Sequence, residues 1–373
     1  MKIVHLVSAG VIGGAEKIAL QLATYQKNAG NDVEIWFLFK GGPIKAEAEK
    51  LGIKTQLCGV RNGWDISGAI NLSRQLSCHH PDIIHVHAFS IGFLVALMKR
   101  KQSIILEHEH GCIFSSNGLV KRLYNIIIRR FVHLADAYIA VSEATRRALI
   151  NTLCINNDAI RTIPNGVDLS LFEQERDPHR KKLELGIPGN SLVVGTVGRL
   201  VNEKGMDGFV RAAALIRNQL QDVHFVIAGD GPCRAELTAL IADLGLGGAV
   251  SLLGMRNDVP ELLTAFDLFA LTSNRESFGI ALVEAMASGV PVLAFGVDGI
   301  PEVIDERCGV LLGPGDVEGL AAAALALLRD SGKRSAMAVA CRRRAEEFSI
   351  QAAFRQVSQL YTDLITARLK TAA

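Results

Sequence analysis

Short β-branched runs alternate with amphipathic stretches along this chain, and that alternation is what most limits its fold. Ile3–Val7, Val33–Phe39, Asp82–Val86, Ser103–Leu106 and Ala137–Val141 read as strands, with helical patterns between them, the first from about Ala15 to Asn28. Such a rhythm lays strands in parallel, and a parallel sheet is covered on both faces. The rhythm stops over about 169–190, where Glu173-Gln-Glu-Arg-Asp-Pro-His-Arg-Lys-Lys is polar, charged and proline-containing, as linkers are. It restarts with Leu192–Val197, His224–Ala228, Val250–Leu253, Leu268–Leu271 and Val292–Ala294. The expected fold class is therefore α/β, with two Rossmann-like doubly wound domains. Their expected bounds are 1–172 and 187–350. Helical patterns at about 317–328, 333–347 and 351–369 have no strand after them, so 351–373 is expected to cross back to the N-terminal domain.

Composition narrows the function classes. The 373 residues carry 40 Lys and Arg against 38 Asp and Glu, a formal charge of +2, so no general nucleic-acid binding is expected. Seven cysteines are scattered without a Cys-x-x-Cys pair. That pattern argues against a disulfide framework or zinc ribbon and for a reducing, cytoplasmic setting. No apolar run approaches the ~20 residues of a membrane span. The apolar N-terminus runs straight into Glu16 and Lys17, which favours a strand and glycine loop over a signal segment.

Open α/β sheets bind ligands at the C-terminal ends of their strands. After the first strand comes Ser8-Ala-Gly-Val-Ile-Gly13-Gly14-Ala15-Glu16. The glycines serve either as a tight turn or as a place where a phosphate or sugar nears the backbone at a helix N-terminus. The spaced Gly-x-Gly-x-x-Gly pattern is absent, and no acid ends the second strand, which disfavours a dinucleotide dehydrogenase. His85-Val-His87 and His108-Glu-His110 each set two imidazoles on one face of an extended segment. They line a polar cleft or hold a metal. No metal is expected, because no carboxylate or cysteine set completes a shell. In the second half, Arg199 and Lys204 leave the strand Leu192–Val197 just before a helix opening near Gly205, where a diphosphate would sit. Ala228-Gly-Asp-Gly231-Pro232 reads as a turn or a ligand loop. Asn274-Arg-Glu276-Ser-Phe278-Gly279-Ile280 follows Leu268–Leu271, with a helix expected from near Phe278 and Glu284 about two turns into it. Two carboxylates within small, apolar sequence point to a buried polar ligand.

In order, these pieces resemble the family 4 retaining glycosyltransferases of GT-B fold, which use nucleotide sugars. The matching residues are Gly13-Gly14-Ala15-Glu16, His85-Val-His87, Glu109-His110-Gly111, Ala140-Val-Ser142 and Ile163-Pro-Asn165-Gly166-Val-Asp168. They continue with Gly198-Arg199 through Lys204-Gly205, Gly229-Asp-Gly-Pro232, and Glu276-x7-Glu284 within Glu-Ala-Met-Ala-Ser-Gly-Val-Pro. The resemblance implies two domains facing across a cleft, with retention at the transferred carbon. It implies that Arg199 and Lys204 bind the donor diphosphate, and that Glu284 holds the ribose. Glu276, with Phe278, Gly279 and Ile280, would hold donor sugar and phosphate, and His110 would lie beside the reacting sugar. Gly13 and Gly14 would lie over the phosphates. His87, His108 and Asn165 would stand on the acceptor side. No cofactor is implied beyond the nucleotide-sugar substrate, with UDP the expected nucleotide. The acceptor implied is a glycan or lipid-linked glycan in surface polysaccharide synthesis. Two rivals stand beside this: a metallohydrolase on the four histidines, and a nucleotide-sugar binder without turnover.

Val297-Asp298-Gly299-Ile-Pro301-Glu302 has Asp-Gly where that family often has Gly-Gly, which leaves the donor open. Leu119–Phe131 is basic and amphipathic, and reads either as a sheet-covering helix or as peripheral contact with the inner membrane face.

Overall fold

The computed structural model describes residues 1–10, 13–87, 90–111, 126–174 and 176–372. The chain forms two compact units, Met1–Gly166 with Ile350–Ala373, and Val167–Ser349. The first holds a seven-stranded sheet in the order β3-β2-β1-β4-β5-β6-β7. Its strands are β1 (Lys2–Ala9), β2 (Asp32–Lys40), β3 (Lys54–Leu57), β4 (Ile83–His87), β5 (Ile104–Glu109), β6 (Ala137–Ala140) and β7 (Ile160–Thr162), with every pairing parallel. The second unit holds six parallel strands in the order β10-β9-β8-β11-β12-β13. They are β8 (Leu192–Val197), β9 (Val223–Ala228), β10 (Val250–Gly254), β11 (Leu268–Leu271), β12 (Val292–Phe295) and β13 (Gly309–Leu312).

In each sheet the strand order runs outward from one central strand, then returns to its other side. Loops leaving β1 and β4, and those leaving β8 and β11, therefore part in opposite directions and open a crevice at the strand ends. This places the histidine segments at the first switch point and the Arg199 and Glu276 loops at the second.

The first sheet's two faces are covered differently. One buries Val4, Leu6, Trp36, Ile84, Val86, Ile105 and Tyr138 with the helices Ile66–His79 and Ile91–Leu97. Full burial of such side chains contributes ~1.5–3 kcal/mol each. The other face carries His5, His85, His87 and His108, all buried. The helices Gly14–Asn28 and Ile350–Ala372 cover it, bringing Gln26 and Tyr361 onto the imidazoles.

Several boundaries differ from the sequence reading. Strands β3, β7 and β13 lie at sheet edges and are only partly buried, so they lack the all-apolar run of the equally short β6, β11 and β12. Much of 169–190 is folded rather than a linker. Asp177 caps the helix Pro178–Glu184 by accepting from the His179 and Arg180 backbone N–H groups (2.9 and 3.2 Å). Buried Lys182 donates to Asp267 (3.0 Å) and to the Ser191 carbonyl (2.9 Å). The unit junction thus falls at Gly166–Val167, and Val167 pairs with Ser349. Most of the basic stretch 119–131 lies outside the described residues. Residues 126–131 are helical, with Ile128 in the core and Ile126 exposed.

Candidate active site

The second unit's site begins as two loops held to each other. After β8, the chain passes Arg199 and Lys204 and enters the helix Met206–Arg217. After β11 it passes Thr272 to Glu276 and enters the helix Ile280–Ala287. The Asn274 and Arg275 N–H groups both donate to the Glu203 carbonyl (2.9 and 3.2 Å), and Asn274 Nδ2 donates to the Asn202 carbonyl (2.9 Å). Thr272 Oγ1 donates to the Gly205 carbonyl (2.8 Å). Gly205 has φ +54°, and a Cβ there would run into the Thr272 carbonyl oxygen. The close approach requires glycine.

This stitching brings Lys204 Nζ onto Glu276 Oε2 as an ion pair of half-buried side chains. The Glu276 main chain is fixed as well. Its N–H donates to Asp298 Oδ2 (3.0 Å), and its carbonyl accepts from Gly299 N–H (3.0 Å). Asp298 also pairs with Arg275 (3.0 Å) and takes a left-handed φ of +43°. Asp298 thus anchors the Glu276 loop, a role the sequence reading did not give it.

Gly279 caps the helix Ile280–Ala287 with φ +86°, so the helix opens two residues later than the pattern suggested. Glu284 consequently lies just over one turn in. The Phe278 side chain is 3% exposed and edge-on to Phe348, with ring centroids 5.4 Å apart, so it is core and only its backbone faces the loop. Arg199 is exposed and makes no ion pair among the described residues. The β8 end is also closed against the β9 end. Gly198 N–H donates to the Ala228 carbonyl and Leu200 N–H to the Asp230 carbonyl, both at 3.0 Å.

In the first unit, parallel register sets His5 beside His85, and His87 beside His108. Five imidazoles result, not four, because His5 of β1 joins the two His-x-His pairs. The stacked pairs His85–His87 and His108–His110 have centroids 4.4 and 4.1 Å apart. Burial keeps these rings neutral. It lowers the His5 pKa to about 4 and that of His110 to about 3, and holds His85, His87 and His108 well below the usual value, with neighbouring imidazoles adding to the effect in those three. His108 lies wholly inside, whereas His110 stands just past the end of β5 and is partly exposed. In both His5–His85–His87 and His87–His108–His110, one nitrogen of each ring lies within 4.8 Å of the others.

Gly13 caps the helix Gly14–Asn28, whose second turn begins with Lys17 N–H donating to the Gly13 carbonyl (3.0 Å). Val11 and Ile12, in the same glycine loop, lie outside the described residues. Asn165 is buried, and its Oδ1 has no partner among the described residues.

The sequence profile described as "Glycosyltransferase Family 4" matches residues 12–171, and "Glycosyl transferases group 1" matches 177–344. A D-inositol 3-phosphate glycosyltransferase of Corynebacterium diphtheriae is 30% identical over 308 residues, 77% of this chain and 72% of that protein. The chain is a family 4 glycosyltransferase. The UDP-Gal:alpha-D-GlcNAc-diphosphoundecaprenol alpha-1,3-galactosyltransferase of Escherichia coli is 27% identical to this glycosyltransferase, covering 98% of this chain and 97% of that one. The crystal structure of Anabaena Alr3699/HepE in complex with UDP and glucose is 26% identical, with a TM-score of 0.85 over 97% of this chain and 99% of that one. The architecture of the glycosyltransferase is GT-B, with its two parallel α/β sheets. This overturns the metallohydrolase reading: the histidines belong to the first sheet of a sugar-transferring enzyme.

Sequence reasoning missed His5, Gln26 and Tyr361 in this glycosyltransferase. His5 stood alone in an apolar strand, and only cross-strand register reveals its neighbours. Gln26 and Tyr361 sit 335 residues apart and meet only through packing of the first and last helices.

Proposed function

We infer that this enzyme transfers a hexose or hexosamine from a nucleotide diphosphate sugar, with UDP as the nucleotide, to a hydroxyl of a glycan or lipid-linked acceptor. The carrying observation is the Lys204–Glu276 pair, held at the second switch point by the stitched loops with Arg199 close by in sequence. Arg199 and Lys204 would neutralise the donor diphosphate as the sugar leaves and negative charge grows on it. Glu276 would bond donor-sugar hydroxyls. The N–H groups of Gly279 and Ile280, at the helix opening, would meet phosphate. Glu284 would accept from the ribose hydroxyls. The names of the galactosyltransferase and of the UDP-bound Anabaena structure support UDP as nucleotide.

The reaction proposed is a same-face displacement with retention. The bond from the anomeric carbon to the diphosphate breaks, the acceptor oxygen bonds that carbon on the same face, and its proton passes to the departing diphosphate oxygen. His110, past the end of β5, would contact a sugar hydroxyl. His87, His108 and Asn165 would shape the acceptor side, and Gly13 and Gly14 would admit a phosphate close to the main chain. No cofactor or metal ion is part of this proposal. A diphosphoundecaprenol-linked acceptor named for one relative supports a lipid-linked glycan in surface polysaccharide synthesis. The basic stretch 119–131 would then touch anionic lipid on the cytoplasmic side of the membrane. No helix among the described residues is long and apolar enough to cross a membrane.

The test is thermal-shift and calorimetric binding to UDP-, GDP- and ADP-sugars with EDTA present, followed by NMR of the product anomer. A bound donor at about 100 times its Kd adds ~2.7 kcal/mol of stability. Binding by UDP-sugars and an unchanged anomeric configuration are expected. Binding to none of them, or an inverted product, would overturn the corresponding part.

A further inference from the structure

A hydrogen-bonded chain runs through the histidine cluster, and its direction is fixed at one end. Tyr361 Oη lies 2.6 Å from His85 Nδ1 and 3.2 Å from Gln26 Nε2. An amide NH2 can only donate, so Tyr361 Oη accepts from Gln26 Nε2 and keeps its own proton for His85 Nδ1. The same amide turns its carbonyl oxygen toward His5, where Oε1 is 2.6 Å from Nε2.

A carbonyl oxygen only accepts, so His5 Nε2 holds that ring's proton. A neutral imidazole has one N–H, and burial keeps these rings neutral. His5 Nδ1 is then bare and accepts from His87 Nε2, 2.9 Å away. His87 Nδ1 is bare in turn and accepts from His110 Nε2 at 3.1 Å. The chain ends at His110 Nδ1, which is buried and has no partner among the described residues. The same bonds weigh against a metal ion here, because they occupy ring nitrogens that a cation would need.

We propose that Gln26, acting through His5 and His87, sets the tautomer of His110 so that its bare Nδ1 accepts a hydrogen bond from a sugar hydroxyl. Gln26, His5 and His87 are positioning residues, and Tyr361 orients the first of them. The tautomer stands on the first unit's geometry alone. The hydroxyl contact rests on the glycosyl-transfer reading.

The two parts separate in one experiment. Protein labelled with 15N at histidine gives ring correlations that distinguish protonated from bare nitrogens, and His110→Gln assigns the His110 signals. Without substrate, His5, His87 and His110 are each expected to show a protonated Nε2 and a bare Nδ1. Gln26→Leu is expected to scramble the His110 tautomer, and Gln26→Glu, which keeps an accepting oxygen, to restore it. A protonated His110 Nδ1 in the unaltered protein means the opposite amide orientation and overturns the proposal. So does a folded Gln26→Leu protein with an unchanged His110. If Gln26→Leu does not fold, the unaltered spectrum and Tyr361→Phe, expected to loosen the same preference, still decide. Next, UDP is compared with whichever UDP-sugar binds in the donor panel. A His110 Nδ1 shift with the sugar nucleotide alone supports the hydroxyl contact, and the same response to both overturns it. Failure of every donor to bind would count against the glycosyl-transfer reading and leave the tautomer standing.

Discussion

Lys204 and Glu276 are coupled through one ion pair, so their substitutions are informative about charge rather than fold. Lys204→Ala and Glu276→Ala are each expected to lower kcat/KM by ~100–1,000-fold, the scale of removing one group aimed at developing charge. Circular dichroism should show both proteins folded, and near-normal rates in either would remove that residue from the site. Asp298→Ala should act more mildly. It removes the acceptor of the Glu276 N–H, a loss of ~1–3 kcal/mol, readable as weakened donor binding. Phe278 belongs to another class. Phe278→Ala empties a core site against Phe348 and should cost ~3–5 kcal/mol in chemical unfolding. The histidines give a pH signature. Their folded pKa values lie below the unfolded value near 6.5, so the unfolded chain binds more protons as pH falls. Stability is therefore full above about pH 6.5 and is lost on acidification toward about 4 for His5 and about 3 for His110. The slope approaches ~1.4 kcal/mol per pH unit for each neutral histidine. Both tryptophans, Trp36 and Trp64, lie in the first unit, so their fluorescence reports its unfolding. Urea midpoints by this signal should be lower at pH 5 than at pH 7.5. Equal midpoints would show that the five rings do not stay neutral.

Loops and helix openings depend on glycines that have no room for a side chain. Gly205 and Gly245 both have positive φ, +54° and +67°, but only Gly205 has a neighbour in the way, the Thr272 carbonyl. Substitution by alanine at Gly245 should cost ~1–2 kcal/mol for the left-handed backbone alone. At Gly205 the same change must also part the Lys204 loop from the Thr272–Glu276 loop. It should therefore lose both more stability and most donor binding, measured by calorimetry on the two variants together. Equal losses at the two positions would mean that the loops are not held by that approach. The helix Ile280–Ala287 makes a related point. Gly279 in a left-handed conformation sets where it starts, so the N–H groups at its opening, which the proposed function assigns to a phosphate, are fixed by one backbone angle.

At the scale of the molecule, the chain leaves the first unit at Gly166 and returns to it at Ile350. The returning helix Ile350–Ala372 is part of the first core. Tyr361 is fully buried against His85 and Gln26, Gln351 donates to Tyr25 Oη (2.8 Å), and Arg368 donates to the Arg100 carbonyl (2.6 Å). Ending the chain at Ser349 should thus uncover the histidine face and abolish the cooperative tryptophan-detected unfolding of the first unit. A truncated protein with an unchanged transition would show the helix to be dispensable. The second unit is continuous from Val167 to Ser349.

By itself the sequence determined the α/β class, the parallel strands and the loops that carry Arg199, Lys204, Glu276 and His110, because hydrophobic period and strand-end glycines are local signals. It placed ten of the strands closely but passed over Lys54–Leu57, Ile160–Thr162 and Gly309–Leu312, edge strands without the all-apolar run of the equally short β6, β11 and β12; of those placed, β4 began a residue later than read and β5 ran three residues further. Tertiary structure alone decided that His5 joins the other imidazoles, since that follows from β1–β4 register. It alone brought Gln26 and Tyr361 to them, gave Asp298 its hold on Glu276, and put Phe278 in the core. Each of these is a meeting of residues far apart in the chain. Local propensity does not encode such meetings; they arise from which faces must be buried and how the covering helices pack.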